Sequence, residues 1–470
     1  MNRGELPGYE FEVPRGPRHA SGPRHEFVRD PVRQLRQEPE QAPRSPVRAA
    51  SGGVLTVMRN RNWLMGLAVP ILAAIAVGIA VVVINGGGGS GASAPSALDA
   101  GFPPARLAGP SFTGTAGGTS RVVLAAIGAS AATEVTAGAV NGGPAIWSSS
   151  DGGGSWTRAS IAGPAALTAA GTGQLAGVAH GQAGWVAVGT TLADKGGPLV
   201  ASSTNASTWT VTAGLGRNAA AIAVAAGPAG YVIVGRQSAG GSAAAVPAAW
   251  YATGLTGWRA ATVTTRGQQG QMMNAVAATA RGFVAVGAAG TSPAAWLSAA
   301  GRTWQQVAVP TPAGAARAAL DYVAANGSAV VGAGTEFSAS GASSPFAEVS
   351  ADGGSTWTPV QLPVPDIGPG TGTTVTALTA AGGGFTAVGT YVTQAGPEVV
   401  VWTLPAGTPV TDGAAWSEAT PQGTGLATTN AENAITALTA DGATLSGVGF
   451  SAQLTGSGVQ RPTLWQSPIR

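Results

Sequence analysis

Between residues 119 and 470 one short pattern recurs seven times. An apolar run ends in a Val-Gly pair; a spacer, a Trp-bearing strand, a Gly/Ser turn and a second Trp follow. The clearest copy reads Gly282-Phe283-Val284-Ala285-Val286-Gly287, then Ala294-Ala295-Trp296-Leu297-Ser298, then Arg302-Thr303-Trp304. Its first half is a hairpin. Val375 to Ala380 alternates apolar and small polar residues, Gly382 to Gly384 turns, and Phe385 to Gly389 returns. Parallel pairs are 121–127 with 134–140, 175–179 with 185–189, 222–226 with 231–235, 275–279 with 283–287, 321–325 with 329–332 and 435–439 with 445–449. In the fifth copy, Val331-Gly332 is the glycine pair. Self-similarity at about 50 residues predicts radial repetition of small four-stranded sheets, an all-β, seven-bladed β-propeller. Small residues on the first strands suit the crowded axis of such a ring.

The second half of each copy carries the tryptophans. Trp147, Trp250, Trp296, Trp402 and Trp465 lie on third strands, with Val200 and Glu348 at that place in the other two copies. Trp156, Trp209, Trp258, Trp304, Trp357 and Trp416 open the fourth strands. The seventh copy reaches Trp465 without room for a fourth strand, so a segment within residues 105–115 is expected to supply it and latch the ring.

Two turns between third and fourth strands are distinctive: Ser149-Ser150-Asp151-Gly152-Gly153-Gly154-Ser155-Trp156 and Ser350-Ala351-Asp352-Gly353-Gly354-Ser355-Thr356-Trp357. A short Asp accepts backbone N–H groups across such a turn, Gly supplies positive φ, and the Trp is buried against a neighbouring blade. These turns resemble the Asp-box pattern, Ser-x-Asp-x-Gly-x-Thr-Trp, of sialidase-like (BNR-repeat) propellers. The resemblance implies that Ser149, Asp151, Gly153 and Trp156, with Ser350, Asp352, Gly354, Thr356 and Trp357, are structural and lie opposite the functional face. The copy 202–209 lacks both the Asp and the Gly, and 298–304 is a residue shorter.

Residues 1–62 are rich in Pro, Arg and Glu without periodicity, and read as a disordered cytoplasmic tail. Residues 63–84, WLMGLAVPILAAIAVGIAVVVI, hold no charge over 22 positions, enough for one transmembrane helix. Arg59 and Arg61 on its N-terminal side predict an inside tail and an extracytoplasmic repeat domain at the cell membrane. Residues 85–104 form a Gly/Ser/Ala/Pro linker, and 105–470 the propeller. The chain has 23 Arg, one Lys and abundant Ala and Gly, a composition that resembles proteins of GC-rich bacteria such as actinobacteria.

Chemistry is sparsely marked. There is no Cys, and His180 is the single His of the repeat domain, so neither a metal site nor a disulfide is expected. No phosphate-binding loop, nucleophile elbow or dinucleotide fingerprint is present, and no cofactor is expected. The repeat domain is near neutral without a basic stripe, which argues against nucleic acid. A closed ring needs no partner to fold, so a monomer is expected.

Candidate ligand-binding residues are those in spacers after the second and fourth strands: Arg217, Arg236, Arg266, Arg317, Tyr391, Glu336 and Asp194. Sialidase-type hydrolysis needs an arginine triad, a Tyr nucleophile with a Glu partner and an acid. The family's Arg-Ile-Pro motif is absent, so no catalytic residue is assigned. The leading expectation is a membrane-anchored, non-enzymatic binding or scaffold module for a protein or cell-wall glycan. The alternative is a sialidase-like glycoside hydrolase or lyase, and a transmembrane signal transducer ranks third.

Overall fold

The computed structural model describes Pro104–Ala105 and residues 122–469, apart from 193–195, 214, 239–244, 268–269, 366–371, 394–395, 421–430, 443 and 454–459. The expected tail at 1–62, the membrane span at 63–84 and the linker up to residue 103 lie outside the described residues. Among the described residues no helix is long and apolar enough to cross a membrane.

Seven mainly antiparallel sheets follow one another along the chain, and each is a blade with consecutive antiparallel strands at its heart. Strand a of every blade is innermost. In order these are Val122–Ser130, Gly173–Gly181, Ala219–Gly227, Gln271–Thr279, Arg317–Asn326, Thr373–Ala381 and Ala431–Asp441. Each touches the next, and the last packs on the first, so the ring closes as a seven-bladed β-propeller. Seven apolar clusters fill the seven seams between neighbouring blades. Third-strand Trp147, Trp296, Trp402 and Trp465 are fully buried there, each contributing a large apolar area.

The repeated glycine has a specific cause. In every blade the pairing of strands a and b shifts by one residue, a β-bulge, between Leu124 and Ala126, Leu175 and Gly177, Ala221 and Ala223, Met273 and Ala275, Leu320 and Tyr322, Val375 and Ala377, and Ile435 and Ala437. Opposite each bulge stands a strand-b glycine: Gly138, Gly189, Gly235, Gly287, Gly334, Gly389 or Gly449. A Cβ there would fall deep inside van der Waals contact with the strand-a carbonyl oxygen of the residue before the bulge pair. Bulges re-aim side chains and sharpen twist, and a strand glycine marks such close backbone approach. Blade 5 corrects the sequence assignment. Its bulge glycine is Gly334, paired with Leu320, because strand b runs on to Phe337. Gly332 pairs instead with Val323, and a Cβ there would lie 3.2 Å from Leu320 Cδ1 and 3.5 Å from Trp357 Cζ3.

The latch forms one residue earlier than the expected segment begins. Pro104–Ala105 pairs with Gln460–Pro468, Pro104 opposite Trp465 and Ala105 opposite Leu464, as the outer strand of blade 7. Blades 2 and 4 have five strands rather than four, since Ser160–Ala162 and Thr262–Thr264 add parallel edges to their fourth strands.

The two distinctive turns lock themselves. Ser350 Oγ donates to Asp352 Oδ1 at 2.7 Å and accepts from Gly354 N at 2.8 Å. Asp352 also accepts from the Ser355 and Thr356 amides and from Thr356 Oγ1 at 2.8–3.0 Å. Ser149 and Asp151 repeat this with Gly153 and Ser155. Trp156 Nε1 donates to Gly153 O at 3.0 Å. Gly153 and Gly354 have φ of 85° and 93°, a conformation that favours glycine. The 202–209 turn keeps the same scheme with other residues: Asn205 Oδ1 accepts from the Ser207 and Thr208 amides, and Ala206 takes the positive-φ place at 62°.

Candidate functional site

Each bulge leaves one extra strand-a residue, and these seven residues form a ring around the axis: Ala125, Ala176, Ile222, Asn274, Asp321, Thr376 and Thr436. All but Thr376 line a central channel of about 370 Å³. The ring is two-sided in character. Blades 1 to 3 contribute apolar side chains, and blades 4 to 7 contribute polar ones.

The polar arc is tied into the ring. Thr436 Oγ1 donates to Leu124 O at 3.0 Å, across the seam between last and first blades. Asn274 Nδ2 donates to Leu320 O at 3.1 Å and to Asp321 Oδ1 at 3.0 Å. Asn274 Oδ1 is buried and has no hydrogen-bond partner. Burial pushes the Asp321 carboxyl up to about 7, against the Asn274 hydrogen bond and the charge of Arg317, which both pull it down. Desolvation disfavours the ionised form of a carboxyl in such a wall. Tyr322, beside it on the channel wall, is pushed up by burial and then by the Asp321 charge. The channel therefore offers a carboxyl that titrates near neutrality and aromatic surface from Tyr322 and Phe450, on a lining otherwise mostly of small apolar residues.

The sequence candidates are dispersed. Arg217 and Arg266 are exposed on the loops that lead into blades 3 and 4. Arg317 opens strand a of blade 5, its guanidinium 4.2 Å from the Phe337 ring centre. Glu336 is half-buried on strand b of the same blade, and burial raises its pKa. Arg236 is buried, and burial pulls its guanidinium down to about 10. Tyr391 is buried between blades 5 and 6 and donates to Glu398 Oε2 at 2.6 Å. Its phenol is pushed up by burial first, then by the Glu398 hydrogen bond and charge, and by Glu418. Asp194 lies outside the described residues. No hydrogen bond or ion pair joins any two of the described candidates. Among the described residues no group of three or more His, Cys, Asp or Glu is placed to hold a metal ion.

Sequence reasoning passed over Asn274, Asp321 and Tyr322. A signal was present: of the seven strand-a positions, only these two bulges carry a carboxyl and a carboxamide. Which inner residue is the extra one, however, depends on register.

No protein-family model and no curated protein sequence matches the chain. Among solved structures it is similar to a Trypanosoma rangeli sialidase in complex with the inhibitor DANA, at 11% identity and a TM-score of 0.37, over 78% of this chain and 58% of that one. An α-L-arabinofuranosidase from Fusarium graminearum is similar at 14% identity and a TM-score of 0.39, over 78% and 96% of the two chains. A protein of unknown function from Dyadobacter fermentans is similar at 14% identity and a TM-score of 0.40, over 64% and 96%. The chain thus spans little more than half of the trypanosomal sialidase. At these TM-scores the likenesses carry no argument about activity, and the fold rests on the seven sheets themselves.

Proposed function

We propose that this chain is a single-pass membrane protein whose extracytoplasmic propeller binds a cell-wall glycan, with the sugar end seated in the central channel. The observation that carries the reading is the Asn274–Asp321 pair in a channel of about 370 Å³. The Asp321 carboxyl, on the channel wall and oriented by the Asn274 Nδ2 hydrogen bond, supplies acceptors for sugar hydroxyls. Tyr322 and Phe450 supply apolar faces for the C–H side of a ring. A carboxyl titrating near 7 can hydrogen-bond a hydroxyl in either protonation state. In this reading the two Ser-x-Asp hairpins are Asp boxes that hold the third and fourth strands together and take no part in binding. Residues 63–84 anchor the domain with the tail inside.

The test is calorimetric titration of the detergent-solubilised full chain with muropeptide and wall-polysaccharide fragments. Asp321→Ala weakens binding by about 10-fold or more, since it leaves buried ligand hydroxyls unpaired, and Asn274→Ala weakens it because the carboxyl loses the group that orients it. Fragments that fail to bind, or that bind the double variant equally well, would remove the channel from consideration.

A second reading, a sialidase-like glycoside hydrolase, is favoured by one contact: the Tyr391–Glu398 hydrogen bond of 2.6 Å. Tyr nucleophiles with carboxylate partners occur in that chemistry. Against it, burial raises the phenol instead of activating it, and the arginine candidates sit on blades 3 to 5 or the loops leading into them. Release of a fluorogenic leaving group from aryl glycosides, abolished in Tyr391→Phe, would make this the better reading.

A further inference from the structure

Charge is segregated around the ring. Residues 196–320, which make the outer strands of blade 2, all of blades 3 and 4 and the start of blade 5, hold seven Arg and no Asp or Glu. Residues 321–460 hold ten acidic residues and no Arg or Lys. Near-neutrality of the whole domain therefore conceals a basic sector facing an acidic one.

One cation of the basic sector is buried. Arg236 is 5% exposed, and neither Nη1 nor Nη2 has a hydrogen-bond partner. It directly follows the bulge glycine Gly235, where the other six blades carry the uncharged Ala139, Thr190, Ala288, Thr335, Thr390 and Phe450. Strand alternation turns it, with Val232 and Val234, toward blade 4, where those two valines pack with Met273 and Ala294. Neither blade of the seam supplies a counter-charge, since residues 196–320 hold no Asp or Glu. Burial lowers the guanidinium only to about 10, so it stays charged at neutral pH. A buried charge without partner or ligand is strongly unfavourable. Arg217 and Arg266 are exposed on the loops entering blades 3 and 4 and add to the positive field of this sector.

We propose that the rim of the seam between blades 3 and 4 is a binding site for an oxyanion group, phosphate or carboxylate, with Arg236 as its buried anchor and the field of the basic sector, Arg217 and Arg266 included, drawing the anion to it. The site is separate from the channel and does not depend on the glycan reading. Arg236 forms the charge-assisted hydrogen bonds, and its planar fork matches two oxygens of one group. The exposed pair raises the association rate more than the final affinity.

Thermal unfolding of the full chain in detergent tests this at constant ionic strength, with chloride exchanged for phosphate, sulfate or acetate. The wild type is expected to gain about 2 °C or more, saturably, in one of the oxyanions. Preference for phosphate or for acetate identifies which group the site accepts. Arg236→Met should unfold no lower than wild type in chloride and lose the oxyanion shift. Arg217→Ala with Arg266→Ala should keep the shift but need several-fold more anion. Equal effects of all anions, or a shift retained in Arg236→Met, overturn the proposal. If Arg236→Met does not fold, phosphorus NMR line broadening of phosphate by the wild type, displaced by acetate or sulfate but not by chloride, decides it: no broadening overturns the site. Because only simple ions are used, failure here leaves the glycan titration unaffected.

Discussion

The seven bulge glycines are defined by what a single methyl group would strike. At Gly287 an added Cβ would run into the Met272 carbonyl, which the bulge directs into strand b. Gly287→Ala is therefore expected to cost about 3 kcal/mol, at the upper end of overpacking penalties. Gly257, with φ of 75° and open space around it, is the control. Its alanine variant pays only the left-handed backbone strain, about 1 kcal/mol. Urea denaturation of both variants separates the two effects, and equal losses would show that the bulge does not require glycine. The Val-Gly repeat was readable in the sequence, but its cause was not, because a bulge is a property of register. Val331-Gly332 shows the limit: it imitates the motif, yet Gly334 faces the bulge. Glu348 is a second residue-level case. It stands where five blades place Trp, is fully buried, and has no partner for either oxygen. Burial pushes it up to about 8, above its ordinary 4.5. A carboxyl raised on folding favours the folded state only while protonated, so the contribution of Glu348 is most favourable below pH 4.5 and falls as pH rises toward 8. Glu348→Leu should gain about 2 kcal/mol at pH 8, gain less at pH 5, and flatten that slope in denaturation series.

At the scale of the element, the hairpin between third and fourth strands is a self-contained unit. Burial would raise the Asp352 carboxyl, but hydrogen bonds from the Thr356 amide, Ser350 and the Thr356 hydroxyl outweigh it and hold it at about 2. Asp352→Ala removes these bonds together and should cost about 2 kcal/mol. Asp352→Asn should recover roughly half, because Asn205 already performs the acceptor role in blade 2. An unchanged denaturation midpoint in Asp352→Ala would mean that the turn holds without its side chain. The sequence pattern is complete only at 350–357, has Ser155 for Thr at 149–156, and lacks both the Asp and the Gly at 202–209. The structure shows the 202–209 turn intact, since Asn and a positive-φ Ala can satisfy the same backbone groups as Asp and Gly. The channel site was harder to read for a related reason. Asn274 and Asp321 sit on strands that alternate normally, and only the one-residue register shift makes them the inward extra residues.

For the whole molecule, closure is the decisive event, because blades 1 and 7 meet only after nearly the entire repeat domain has been made. Chain-end arithmetic predicted a borrowed strand, and Pro104–Ala105 supplies it. The side chains that join the seam were not predictable from either blade alone. Ser446 Oγ donates to Glu134 Oε1 at 2.7 Å, and Gln466 Nε2 donates to Gly152 O at 2.7 Å. Glu134 is 1% exposed, and its other oxygen has no partner. Burial raises its carboxyl, the Ser446 hydrogen bond lowers it, and the charges of Asp441 and Asp151 raise it again. Since the folded pKa lies above 4.5, ionisation of Glu134 opposes folding, and its contribution falls as pH rises. Ser446→Ala removes the one favourable influence. It should therefore destabilise the ring by about 2 kcal/mol at pH 8 and by clearly less at pH 5, where the carboxyl is closer to neutral. Glu134→Gln in the same chain should erase that pH dependence. Chemical denaturation of the three chains at both pH values checks this. A loss in Ser446→Ala that is equal at pH 5 and pH 8 would assign the serine to packing, and the closing seam would then owe nothing to the charge on Glu134.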